Sequence, residues 1–241
     1  MKWKTAITDI RDGKEIIRGR DVRDLARGQS FADAIFLLLR GVLPAKNESV
    51  MLNAMLVAAI DHGVGTASAM TTRIVASAKN SMHTAVAAGI LALGDLHGGA
   101  IEGAAKFFQE HAGGDTDADA LVKSYREHRL RIPGYGHAVL AEDERSRTLF
   151  VIAREEGLYG KHCAFAELVE QRLNAHASKP LPLNIDGAMA AILLDMGFDW
   201  RLARGVFIIA RVPGLVAHAY EEMTGDAGLR RLAPDDIDFV G

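Results

Sequence analysis

The 241-residue sequence predicts an all-α protein carrying one small β-hairpin at its start. Three observations lead there. Apolar residues recur at helical spacing in almost every segment after residue 30, and strand-like alternation is confined to the first eighteen residues. Glycine or a small polar residue bounds each periodic run, as helix caps do.

Taken in order, residues 5–10 and 15–18 flank Asp12-Gly13 and read as a hairpin. Phe31, Ile35, Leu38 and Leu39 follow Ser30, with Asp33 placed to complete a capping box and Gly41 to stop the helix. A helix over 47–62 ends at Gly63. Segments 67–78, 82–93 and 100–111 are rich in Ala, Val, Ile and Leu, whose small members permit close helix packing. Thr116 or Asp117 caps a helix running to residue 130, and helices over 142–156, 162–176, 186–196 and 200–223 complete the series. Pro213 should kink the last of these or divide it. The stretch 101–185 is more polar than its flanks and reads as a smaller helical domain hinged on the rest.

Composition narrows the function. Hydrophobic residues make up 49% and charged residues 24%, enough apolar mass for a core. A net charge of −3 supplies no basic field for nucleic acid. One cysteine, Cys163, excludes an internal disulfide or a multi-cysteine metal site and suits a reducing, cytoplasmic setting. Neither a signal peptide nor an uninterrupted membrane-length apolar run is visible. His-Glu-x-x-His spacing, a Gly-x-Ser-x-Gly elbow and a phosphate-binding loop are all missing, so no metal site is expected.

The chemistry concentrates in three glycine-flanked islands: Gly94-Asp95-Leu96-His97-Gly98-Gly99-Ala100, Pro133-Gly134-Tyr135-Gly136-His137 and Asn184-Ile185-Asp186-Gly187. Histidines that polarise a carbonyl, with a carboxylate that moves a carbon-bound proton, suit enolate chemistry. Each island also has a plainer reading. His97 could cap a tight helix–helix turn, His137 could sit in an ordinary Pro/Gly turn, and Asp186 could be an N-cap, although Asn184 would serve equally. Arg73 and Arg211 stand alone in apolar helices, and each needs a protein carboxylate or an anionic ligand. For Arg73 an ion pair is the favoured reading.

In order and spacing, Ile17-Arg18-Gly19, the segment 37–44, Asp61-His62-Gly63, the three islands and Ile209-Ala210-Arg211 together resemble the citrate synthase superfamily across nearly the whole chain. That resemblance implies a helical homodimer, or higher homo-oligomer, whose large domain (1–100 and 186–241) and small domain (101–185) close on substrate. It implies that Asp186 moves the proton at the acetyl-CoA methyl carbon, that His97 holds the enolate and that His137 binds the oxaloacetate carbonyl. His62, Arg145 and Arg211 would hold substrate carboxylates. Arg231, or its neighbour Arg230, would reach across the dimer. Arg131, Ile132, Pro133, Gly134, Tyr135 and Gly136 would lie against the adenine end of coenzyme A.

No permanently bound cofactor is implied, since the coenzyme A thioester is itself a substrate. The chain is much shorter than a standard citrate synthase, and Asp143-Glu144-Arg145 replaces the usual Asp-Pro-Arg. Asn184-Ile185-Asp186-Gly187 is more similar to the C-terminal module of ATP-citrate lyase and to stand-alone citryl-CoA lyases. The resemblance therefore favours cleavage of citryl-CoA over condensation by a citrate or methylcitrate synthase.

Overall fold

The computed structural model describes every residue except Met1, Asp115, 137–141, His176 and Ala227. It opens on a small antiparallel sheet. Strands β1 (Thr8–Arg11) and β2 (Lys14–Ile17) pair from Thr8 opposite Ile17 to Arg11 opposite Lys14. Asp12 and Gly13 turn between them at φ of 49° and 70°, the backbone that a tight two-residue hairpin requires. A third strand, β3 (Arg20–Asp21), and helix α1 (Val22–Gly28) extend this unit beyond the predicted hairpin. Two residues are too few to alternate, and α1 buries only Leu25, so neither leaves a periodic signature. Arg18 donates to the Leu38 carbonyl at 2.8 and 3.2 Å, anchoring the sheet to the next helix.

That helix, α2 (Phe31–Arg40), has the expected Ser30–Asp33 capping box and ends at Gly41 in the left-handed conformation. Helix α3 (Lys46–Ala58) stops four residues short of its predicted end. The Asp61 carboxylate accepts the Gly63 N–H at 2.9 Å, a local bond that competes with helix propagation and leaves Asp61-His62 in a turn. There follow α4 (Ala67–Ser77), α5 (Met82–Leu91), α6 (Ala100–His111), α7 (Ala118–Glu127), α8 (Glu144–Glu155), α9 (Lys161–Asn174) and α10 (Ile185–Asp195). After a 3₁₀ turn (Trp200–Leu202), α11 (Ala203–Thr224) runs unbroken through Pro213. The proline lies on the exposed side, where water can satisfy the carbonyl that loses its N–H partner, so the expected division does not occur.

Helix α10 is the axis of the core. Every residue in it is buried except Asp186 and Asp195, the pattern of a helix surrounded on all sides. Helices α6, α8 and α9 pack around it, while α11 lies mainly on α4, α5 and α3. Asp195 serves as a distant cap for α9, accepting the N–H groups of Gly160, His162 and Cys163 at 2.8–3.0 Å and the His162 imidazole at 2.8 Å. Gly160, the residue at that helix start, has no side chain to do so. The run Trp200–Thr224 is long and apolar enough, by length and composition, to cross a membrane; here it packs against neighbouring helices and carries Arg211 in its buried face. The other polar residue of α10, Asp186, sits at the opposite end from Asp195.

Candidate active site

His97 projects from the turn between α5 and α6. Gly94 and His97 exchange backbone hydrogen bonds at 2.8 and 2.9 Å. Gly98 takes φ of 76°, and a Cβ on Gly99 would come within 2.6 Å of the Gly94 carbonyl oxygen. Only glycines close this turn. The imidazole caps neither helix: Gly99 opens α6 without a side-chain cap, and His97 Nε2 lies 2.8 Å from the buried Ser68 hydroxyl of α4. Burial, and then the nearby Arg211 charge, hold the His97 pKa below its ordinary value, so the ring is neutral at neutral pH. In the tautomer in which Ser68 donates to Nε2, the ring proton sits on Nδ1 and is available to an oxyanion.

Asn184, not Asp186, caps α10, its side-chain oxygen accepting the Gly187 N–H at 3.1 Å. Asp186 falls in the first helical turn, its Oδ1 buried and without a hydrogen-bond partner among the described residues. Burial pushes its pKa up to about 6, against the opposing pull of Arg211 and Arg145 and with a further push from Asp143. A carboxyl poised there can take or give a proton near neutral pH.

The second and third islands are zipped together. Gly136 N–H donates to the Pro182 carbonyl at 2.7 Å, Asn184 N–H to the Gly134 carbonyl at 3.0 Å, and the Asn184 amide to the Gly136 carbonyl at 3.0 Å. Gly134 and Gly187 lie face to face, and a Cβ on Gly187 would sit 2.5 Å from the Gly134 oxygen. Gly187 thus admits the neighbouring loop rather than merely leaving room beside Asp186. Within that loop Ile132 is buried in the core, and Tyr135 donates its hydroxyl to the Ala166 carbonyl at 2.9 Å. Arg131 is exposed, and Pro133, Gly134 and Gly136 shape the backbone. His137 lies outside the described residues.

The basic residues separate into distinct roles. Arg145 forms a two-pronged pair with the buried Asp143 (3.0 and 2.9 Å) and donates to His62 Nδ1 at 2.8 Å. Asp143 also accepts the Ile185 N–H at 3.0 Å, so one carboxylate steadies both Arg145 and the start of α10. Arg211 is 3% exposed, yet its only hydrogen bond among the described residues is from Nε to the Ala59 carbonyl at 3.0 Å, and its Nη1 is buried without one. A buried guanidinium with an unused N–H and no carboxylate in contact among the described residues can receive an anion.

Arg73 instead pairs with Glu221 and Glu222, each at 2.7 Å, as its ion-pair reading anticipated. Arg230 and Arg231 are both exposed, and Arg230 is engaged by Glu222 at 2.7 Å. Sequence reasoning missed Ser68, the Asp61–His218 pair (3.0 Å) and the role of Asp143 in holding Arg145 and the start of α10. None of these carries a local signature, because each partner comes from a distant element. Among the described residues no three His, Cys, Asp or Glu side chains converge as metal ligands.

Arg211 acts electrostatically on both His97 and Asp186, and Arg145 on Asp186, so four of the anticipated residues share one neighbourhood. It combines a neutral imidazole donor, a protonatable carboxyl and an anion receptor.

A family model described as citrate synthase, C-terminal domain, matches residues 46–232. The structure of citryl-CoA lyase from Hydrogenobacter thermophilus is 48% identical, with a TM-score of 0.94, covering 99% of this chain and 94% of that one. Citrate synthase 2 of Bacillus subtilis is 28% identical over 98% of this chain and 63% of its own length. The ATP-citrate synthase beta chain protein 2 of Arabidopsis thaliana is 26% identical over 73% of this chain, which spans only 32% of that protein's length.

Proposed function

The chain belongs to the citrate synthase family, and on that premise we propose that it is a citryl-CoA lyase, splitting citryl-CoA into acetyl-CoA and oxaloacetate. The reading is carried by its near full-length likeness to the Hydrogenobacter thermophilus citryl-CoA lyase. The reverse activity, condensation by a citrate or methylcitrate synthase, uses the same residues and is favoured by the likeness to Citrate synthase 2.

In the cleavage direction His137 accepts the proton of the citryl hydroxyl as that oxygen becomes the oxaloacetate carbonyl. The carbon–carbon bond breaks, and its electron pair passes into the acetyl-CoA enolate. The His97 Nδ1–H holds the enolate oxygen, a donor already oriented by Ser68 before charge develops. Asp186, protonated, then delivers its proton to the enolate carbon, and its raised pKa suits that task. The thioester is not hydrolysed. Arg211, Arg145 and His62 hold the carboxylates, and the backbone at 131–136 lies along coenzyme A. No resident cofactor is needed by this chemistry.

Residues 101–185 form the small domain that closes over substrate against the large domain of 1–100 and 186–241 and excludes water. The protein works as a homodimer, and since Arg230 is consumed by Glu222, Arg231 is the arginine that reaches the partner's site.

The test supplies citryl-CoA and follows oxaloacetate with malate dehydrogenase and NADH while free thiol is measured separately. Oxaloacetate without thiol supports the lyase, and prompt thiol with citrate supports the synthase. Silence there and with acetyl-CoA plus oxaloacetate refutes the enzyme.

A further inference from the structure

The turn that carries His62 is not held by its own helix, because α3 ends at Ala58. It is held by one face of α11. Arg211 Nε donates to the Ala59 carbonyl at 3.0 Å. One turn on, Gly214 packs so closely that a Cβ there would lie 2.4 Å from the Ile60 carbonyl oxygen and 3.0 Å from Asp61 Oδ1. One turn further, His218 Nε2 lies 3.0 Å from the same Asp61 oxygen. Positions 211, 214 and 218 recur at helical spacing, so a single stripe of α11 grips residues 59–61.

Asp61 passes that grip on to His62. Its second oxygen accepts the Gly63 N–H at 2.9 Å, closing the turn around the histidine. Burial works against its charge, but the Gly63 and His62 N–H groups and His218 outweigh that, and the carboxyl stays below its ordinary pKa. As a carboxylate accepts only, the His218 proton lies on Nε2; Nδ1 is buried with no hydrogen-bond partner among the described residues. On the far side of the turn, Arg145 donates to His62 Nδ1 at 2.8 Å, which leaves the His62 ring proton on Nε2 as a donor.

We propose that His218 is a positioning residue for the oxo-acid half of the site: acting through Asp61, it fixes the turn that presents His62 at a set distance from Arg211 on the same helix. The inference rests on the reading that His62 and Arg211 bind the carboxylates of a dicarboxylic oxo acid. It predicts that His218 tunes affinity for that acid and leaves coenzyme A binding alone.

The test is calorimetry of the full-length protein with oxaloacetate and, separately, with coenzyme A, which does not depend on the direction of catalysis. His218→Phe keeps the ring volume and loses the donor; His218→Gln keeps a donor of similar reach. The expected result is a roughly 10-fold weaker oxaloacetate Kd for His218→Phe, the scale of losing one charge-assisted hydrogen bond. Coenzyme A affinity should stay within about 2-fold, and His218→Gln should recover most of the oxaloacetate loss. An unchanged oxaloacetate Kd in His218→Phe overturns the proposal. So does a Gln variant as weak as Phe, or equal weakening toward both ligands with a lowered Tm, which would mark a purely structural residue. Wild-type protein that binds no oxaloacetate also overturns it. Wild-type protein that binds oxaloacetate yet cleaves no citryl-CoA overturns the lyase reading alone and leaves the His218 comparison decisive.

Discussion

Replacing Asp186 with Asn should abolish turnover and, above pH 6, make the protein more stable. The buried carboxyl has a pKa of about 6 against an ordinary 3.8, with burial the main cause. A folded-state pKa above the unfolded one means that the folded protein prefers the protonated group. The stability this group contributes is therefore complete below about pH 3.8 and is lost as pH rises through about 6. At ~1.4 kcal/mol per pH unit, the interval corresponds to about 3 kcal/mol of cost for keeping Asp186 ionised at neutral pH. Asparagine carries no charge at any pH and escapes that cost. It forgoes the carboxylate's favourable position in the first turn of α10, ~0.3–1 kcal/mol, so a net gain of about 2 kcal/mol remains. The helix keeps its cap, because Asn184 supplies it.

At ~2–4 °C per kcal/mol, Tm of the variant should exceed that of the wild type by about 4–8 °C at pH 8 and should match it near pH 4. Scanning calorimetry of both proteins from pH 4 to 8 measures the difference, in which the other carboxylates cancel. A Tm difference that does not vary with pH, or a variant less stable at pH 8, would refute the argument that Asp186 is held ionised at a cost. The same variant should bind coenzyme A as the wild type does.

Three further outcomes follow from the geometry. Ser68→Ala removes the hydroxyl that orients His97 and should lower kcat by about 10-fold or more, with coenzyme A affinity unchanged in calorimetry. Arg211→Met takes away a buried cation without a carboxylate in contact, so urea unfolding should show stability within ~1 kcal/mol of the wild type while oxaloacetate affinity collapses. Gly187→Ala drives a methyl group against the Gly134 carbonyl and should cost ~1–3 kcal/mol in the same assay, with weaker coenzyme A binding as the 131–136 loop is displaced.

Much of the fold was legible because its signals are short-range. The Ser30–Asp33 box, the Asp12-Gly13 turn and the Gly41 stop each depend on residues within four positions, and all three form as expected. The errors fell where distant contacts overruled such signals. The predicted helix over 47–62 ends early because Asp61 bonds to its own turn and to α11. Of the two outcomes expected at Pro213, division of α11 does not occur, the proline facing outward. Helix α1 escaped notice because only Leu25 anchors it.

The candidate site divides along the same line. The sequence by itself determined which residues could act, since a histidine or aspartate set among glycines is visible without coordinates. It could not tell a cap from an acid at Asp186, because both readings put the same residue at a helix start. Only tertiary structure removed the cap reading, by giving the cap to Asn184 and enclosing Asp186 at the start of a helix buried on all sides. It likewise set Ser68 against His97, 29 positions away, and His218 against Asp61, 157 away. Protonation and orientation depend on desolvation and on partners drawn from remote segments, and neither quantity is written in the neighbouring residues.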